Sequence, residues 1–188
     1  MDIRIRPACL EDIPAIATLI PESARTLQAD YYTPQQIEGA LGTVFGVDSQ
    51  LIHDGTYFVA ESIEQIVGCG GWSKRKTLFG GDGGKDTGED ILLNPNVEPA
   101  RIRAFFIHPA WARRGIGSRI MQQCETAAGD AGFQTIEIVA TLAGEPLYAA
   151  FGYTVIQRFE ILLPNGEVLP VVRMSKRFAD TKTFRPLA

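Results

Sequence analysis

The chain has 188 residues, 45% of them hydrophobic, and sets 18 Lys and Arg against 22 Asp and Glu for a formal net charge of −4. That length suits one domain with a sizeable core, and the apolar share excludes a disordered chain. Mild negative charge without a basic stripe argues against nucleic acid as a partner, and no run approaches the roughly 20 apolar residues of a membrane span.

Residues 3–6 alternate apolar and charged side chains, which predicts a half-buried strand ended by Pro7. Residues 11–20 place Ile13, Ile16, Leu19 and Ile20 on one helical face, with residues 24–27 continuing it after a break at Pro21. Thr33 as N-cap and Pro34 in the first turn predict a second helix running to about Phe45. Residues 56–61 and 66–72 read as an antiparallel hairpin. Residues 73–100, with Phe-Gly-Gly-Asp-Gly-Gly and Pro95 and Pro99, read as a long irregular segment.

A β-branched and aromatic run, residues 102–107, reads as a buried strand that Pro109 stops, because proline brings no N–H to a ladder. Ile116, Ile120, Met121, Cys124, Ala128 and Ala131 then recur at helical spacing. Further on, residues 134–140 read as a strand, 145–151 as a short helix and 153–163 as another strand. Pro164, Asn165, Gly166 and Glu167 form a turn with a strong hairpin dipeptide, and 168–174 is the returning strand. Residues 1–178 are expected to form a single domain, with 179–188 as a loosely packed tail. Cys9, Cys69 and Cys124 lack metal-ligand spacing and an even count, so they read as reduced thiols in a cytoplasmic protein without a metal. The N-terminus has no apolar signal-peptide core.

Between the buried strand and the long helix stand Arg113, Arg114, Gly115, Ile116, Gly117 and Ser118. Backbone amides of a helix's first turn have no intrahelical partner, and the macrodipole adds positive charge there. Gly115 and Gly117 let a phosphate approach those amides, while Arg113, Arg114 and Arg119 add charged donors. A plain tight turn with solvated arginines fits the same residues.

The run from His108 to Ser118 resembles the acetyl-CoA signature of the GCN5-related N-acetyltransferases (GNAT), Arg/Gln-x-x-Gly-x-Gly/Ala after a strand. It departs at Ala112, where the family has Arg or Gln. Residues 147–153, Leu-Tyr-Ala-Ala-Phe-Gly-Tyr, are similar to the family's Phe-Tyr-x-x-x-Gly-Phe block. The resemblance implies an α+β, acyl-CoA N-acyltransferase fold: a mixed, mostly antiparallel sheet of about seven strands with helices on both faces. It implies an N-acetyltransferase that moves an acetyl group from acetyl-CoA to a primary amine by direct attack in a ternary complex. A CoA-binding regulatory module that has lost the chemistry is the alternative, favoured by Ala112 and by the lack of a carboxylate between Pro99 and Cys124. A nucleotide-binding protein is a weaker third class, testable by competition between ATP and CoA.

The same resemblance assigns roles. Amides of residues 113–118 would hold the CoA pyrophosphate, and Thr141 stands where the family places an Asn on the pantetheine arm. Tyr148 would protonate the departing sulfur, a task that suits a phenol of pKa about 10. The strand amides of Phe105, Phe106 and Ile107 would face the thioester carbonyl. Glu98, His108 or ordered water would serve as base for the amine. Tyr31, Tyr32, Trp72 and the acids Asp82, Asp86, Glu89 and Asp90 would surround the acceptor. Arg101 and Arg103 could pair with those acids or bind a substrate carboxylate. The expected partners are a small-molecule or peptide amine and, with room left for a homodimer, a second copy of the chain.

Overall fold

The computed structural model describes residues 2–63, 65–84 and 91–178. Strand β1 (Arg4–Pro7) leads into helix α1 (Ile13–Leu27), which runs unbroken through Pro21. The expected break is absent because Ile16, Leu19, Ile20, Ser23 and Ala24 are all buried along one face, and that packing outweighs one missing N–H. Helix α2 (Pro34–Ala40) starts at a capping box in which Gln36 N–H donates to Thr33 Oγ1 (3.2 Å) and Thr33 N–H to Gln36 Oε1 (2.9 Å). It stops at Ala40 rather than near Phe45, since Leu41 is extended and Gly42 takes φ 81°. The chain then folds back through Phe45 N–H to Ala40 O and Gly42 N–H to Phe45 O, both 2.8 Å, and Phe45 turns into the core.

A short helix α3 (Ser49–His53), which the sequence reading did not anticipate, precedes strands β2 (Tyr57–Glu61) and β3 (Ile66–Ser73). The stretch read as irregular is partly paired: Lys76 N–H bonds Ile91 O (2.9 Å) and Leu93 N–H bonds Lys74 O (2.8 Å). Next come β4 (Ala100–Ile107), α4 (Ile116–Asp130), β5 (Thr135–Thr141), α5 (Glu145–Ala150), β6 (Thr154–Leu162) and β7 (Val168–Arg177). In α4 the predicted face is buried at Ile116, Ile120, Met121, Cys124 and Ala128, while Ala131 falls past the last turn and is exposed. Complete burial of Ile116, Ile120 and Met121 contributes about 1.5–3 kcal/mol each to holding α4 on the sheet.

The seven strands make one sheet in the order β1-β2-β3-β4-β5-β7-β6, antiparallel except where β4 meets β5. One face carries α4 and α5, with Tyr148 on α5, over Ile102, Ile136 and Ile138; the other carries α1 and α2 over Tyr57, Val59, Cys69 and Phe106. This is the expected mixed, mostly antiparallel α+β architecture with helices on both faces. Among the described residues, no helix is long and apolar enough to cross a membrane.

The sheet is split in its middle. β4 and β5 pair only at Ala100–Ile136, Arg101–Glu137 and Ile102–Ile138, after which they diverge. The cause is a bulge in β4. Gly71 faces Arg103 and Cys69 faces Phe106, so Gly70 alone stands opposite two residues, Ala104 and Phe105. Ala104 is left-handed at φ 55°, a conformation that costs an L-residue about 1 kcal/mol. Gly70 is required there, since a Cβ would come within 2.7 Å of the Phe105 ring.

Candidate active site

The fork between β4 and β5 opens a cavity that connects the two faces of the sheet. Tyr148, Thr141 and Phe105 line it toward the α4–α5 side, and Gln28, Phe45, Phe79 and Ile161 line it toward the α1–α2 side. The Tyr148 ring packs edge-on against Phe105 (6.3 Å) and Tyr153 (5.9 Å). Burial pushes its phenol well above the ordinary range, so it keeps its proton throughout neutral and mildly alkaline conditions. Thr141 Oγ1 accepts from Gly144 N–H (3.2 Å), fixing the approach to α5.

Beyond the end of β4 lies the turn into α4. Pro109–Trp111 form a single 3₁₀ turn; Arg113 then takes φ 62° and Gly115 φ 78°. Backbone turned into the left-handed region in this way makes concavities that bind anions. The first intrahelical bond runs from Arg119 N–H to Gly115 O (3.1 Å), so the amides of Ile116, Gly117 and Ser118 precede the helical ladder. A Cβ added at Gly115 would meet no atom within 4 Å, so open space adjoins the turn. Arg113 and Arg114 are exposed at its rim, with the Arg114 guanidinium 5.1 Å over the Trp111 ring. Arg119 is not part of this turn's charge, because its Nη2 donates to Ile3 O (2.8 Å) on β1.

The structure brings together Phe105, Phe106, Thr141 and Tyr148 at the cavity, and places residues 113–118 in the turn into α4, outside its lining. Of the three strand amides, Ile107 N–H donates to Ser23 Oγ (3.2 Å) and is already engaged. Other predicted site residues do structural work instead. Trp72 is buried against the Phe133 ring, 5.9 Å away. Tyr32 Oη donates to Pro170 O (2.7 Å) and accepts from Leu142 N–H (2.9 Å), and burial moves its pKa up to about 12. Tyr31 is half exposed and does not reach the cavity. His108 caps the 3₁₀ turn, with Nδ1 accepting from Ala110 N–H (3.2 Å) and Nε2 3.3 Å from Glu22 Oε1, so neither nitrogen offers a free lone pair. Glu98 accepts from Asn94 N–H (2.8 Å), which lowers its pKa and leaves it a weak base, and it lies near Lys76, away from the cavity.

Arg103 lines the cavity, but its guanidinium is engaged. It bonds Asp48 (2.8 Å), Thr77 O (2.8 Å) and Gly80 O, and both members of the ion pair are buried. Through these bonds β4 holds both the segment before α3 and the segment after β3. Arg101 pairs with Glu137 (2.6 Å), not with a loop acid. Asp82 accepts from Ser49 N–H (3.1 Å), and Asp86, Glu89 and Asp90 lie outside the described residues. Gln28, Phe79 and Ile161 were missed by sequence reasoning, because they come from three separate elements without a shared motif. Among the described residues, no cluster of three or more His, Cys, Asp or Glu could hold a metal ion.

Residues 53–155 match the model of the acetyltransferase (GNAT) domain family. No curated protein sequence matches the chain significantly. Among solved structures, a GCN5-related N-acetyltransferase from Rhodopseudomonas palustris, also named a class-II aminotransferase, aligns with TM-score 0.69 at 22% identity over 95% of this chain and 97% of its own. PaiA N-acetyltransferase from Thermoplasma acidophilum, solved with coenzyme A, aligns with TM-score 0.63 at 14% identity, covering 95% of this chain and 100% of its own. YncA from Salmonella typhimurium, described as an acetyltransferase and solved with acetyl-CoA, gives TM-score 0.62 at 14% identity with both chains covered in full. At such identities the likeness shows a shared fold.

Proposed function

The chain belongs to the GNAT acetyltransferase family, and from that premise we propose that it acetylates a primary amine with acetyl-CoA in a ternary complex. One observation carries this reading: the β4–β5 fork opens one cavity to both faces of the sheet, with Tyr148 lining it and α4 beginning just past the end of β4. Coenzyme A in the Thermoplasma relative and acetyl-CoA in the Salmonella relative support the choice of donor.

The residues at the turn fit such a donor, since unladdered amides, a left-handed bend and open space beside Gly115 suit a diphosphate. Bound there, acetyl-CoA supplies an acetyl thioester, which an amine can attack. Residues 113–118 orient the donor through backbone amides, and Arg113 and Arg114 add charge at the rim. The amide of Phe105, beside the bulge and lining the cavity, supplies a hydrogen bond where negative charge develops. Tyr148 Oη, which burial keeps protonated but makes a weaker acid, gives its proton to the sulfur as the carbon–sulfur bond breaks and regains one from water. The described cavity lining contains no Asp, Glu or His, so the amine's own proton goes to water. That same lack favours the second reading, a CoA-binding module without chemistry.

Calorimetry with acetyl-CoA, followed by a thiol-release assay over a panel of amines, tests the proposal. Micromolar binding together with release that depends on an added amine is the expected result. Binding without release from any amine would leave the module reading in its place.

A further inference from the structure

The α1–α2 half of the cavity has a distinct chemical character. Val44 and Phe45 come from the turn after α2, Leu78 and Phe79 from the segment after β3, and Ile161 and Val171 from β6 and β7. Phe45 stacks edge-on with Phe106 (6.1 Å), and Phe79 lies tilted on Phe159 (6.4 Å). The one charged residue in the described lining, Arg103, is buried and engaged with Asp48 and two carbonyls, so it presents no bare charge. No described carboxylate lines the cavity to receive a second ammonium. One polar atom remains unsatisfied. Gln28 Oε1, at the C-terminal end of α1, is buried without a hydrogen-bond partner on the cavity wall.

From this we infer that the acceptor is an amine carried on a single apolar body, aryl or branched alkyl, with one hydrogen-bond donor received by Gln28 Oε1. The inference rests on the acetyl-transfer reading above and names its substrate class. An apolar wall favours such a body by removing its surface from water, whereas a polyamine or aminoglycoside would bury additional ammonium groups where no described residue of the lining supplies a carboxylate. A buried carbonyl oxygen left unpaired is costly, and a donor on the correct ligand removes that cost, which makes Gln28 a source of selectivity. The reacting amine enters neutral, as attack on a thioester requires, so the cavity needs no fixed charge to hold it.

The 188-residue chain, first shown by calorimetry to bind acetyl-CoA, is assayed for thiol release with tyramine, whose phenol supplies the donor, and with 2-phenylethylamine, isoamylamine, spermidine and kanamycin. The expected kcat/KM for the aryl and branched alkyl amines exceeds that for the two polycations by about 100-fold or more. Gln28→Leu lowers kcat/KM for tyramine about tenfold, mainly through KM, while acetyl-CoA affinity and the KM for 2-phenylethylamine stay unchanged. Phe79→Asp, which sets a carboxylate in the wall, shifts the ratio of phenylethylamine to spermidine turnover toward spermidine. Preference of the wild type for spermidine or kanamycin, or an unaltered KM for tyramine in Gln28→Leu, would overturn the substrate class while leaving acetyl transfer intact. Absence of acetyl-CoA binding, or of release with every amine, would overturn the acetyl-transfer reading and this inference with it.

Discussion

The cavity and the turn into α4 are built from different materials. The turn proposed to hold the donor is backbone: two left-handed residues, a helix start and amides ahead of the first intrahelical bond. On the α1–α2 side the wall is side chain, contributed by five separate stretches and held by the buried Arg103–Asp48 pair. A backbone site tolerates changes of side chain, as Ala112 in place of the family's Arg or Gln illustrates. A side-chain wall changes its ligand whenever one residue changes.

The largest effect belongs to the ion pair that holds the apolar wall together. Arg103→Met removes the buried cation that faces the Asp48 carboxylate and should cost about 3–5 kcal/mol, seen as a fall in Tm of roughly 10 °C. Removing both charges, with Asp48→Leu added, should recover part of that loss; a double variant no better than the single one would mean the pair is not the cause.

Tyr148 lines the cavity as a buried side chain, and its proposed task is proton donation. Tyr148→Phe should lower kcat by about 100-fold with acetyl-CoA affinity unchanged. Because burial raises its pKa, the phenol stays protonated as pH rises, so wild-type activity should persist to about pH 10 while more of the amine becomes neutral. Loss of activity between pH 7 and 9 in a stable enzyme would contradict that assignment.

A third effect sits where the cavity opens. Gly70→Ala pushes a methyl group into the Phe105 ring, and should destabilise by about 1–3 kcal/mol and lower kcat, because the bulge that opens the fork must shift. Thermal unfolding and steady-state kinetics on one preparation would show both.

The smallest effect is predicted for the rim. Replacing Arg113 and Arg114 together by Ala should weaken acetyl-CoA binding only about fivefold, and less so at high salt, since exposed charges contribute little. A hundredfold loss would show that side chains rather than amides hold the donor.

The same asymmetry decides what could be read in the sequence. Glycines, Pro109 and the onset of a helical repeat marked the turn into α4, alternation marked β1, and a β-branched and aromatic run marked β4, because local backbone requirements leave local residue signals. Tyr148 was legible through the block around it. Pro21 misled because burial along α1 outweighed one lost hydrogen bond, a tertiary effect with no local trace. The acceptor residues proved hardest. Tyr32, Trp72 and Arg103 have the chemistry of ligand contacts, yet a carbonyl, a ring and a buried carboxylate occupy them. Gln28 and Phe79 carried no signal, since only the assembled fold places them on one wall.

A crystal structure of the protein with acetyl-CoA is the most direct test of the central claim. The account predicts diphosphate oxygens within hydrogen-bonding distance of amides in residues 113–118, and the thioester lying in the β4–β5 fork beside Tyr148 Oη. A diphosphate seated away from that turn, or a sulfur on the far side of the sheet from Tyr148, would contradict it.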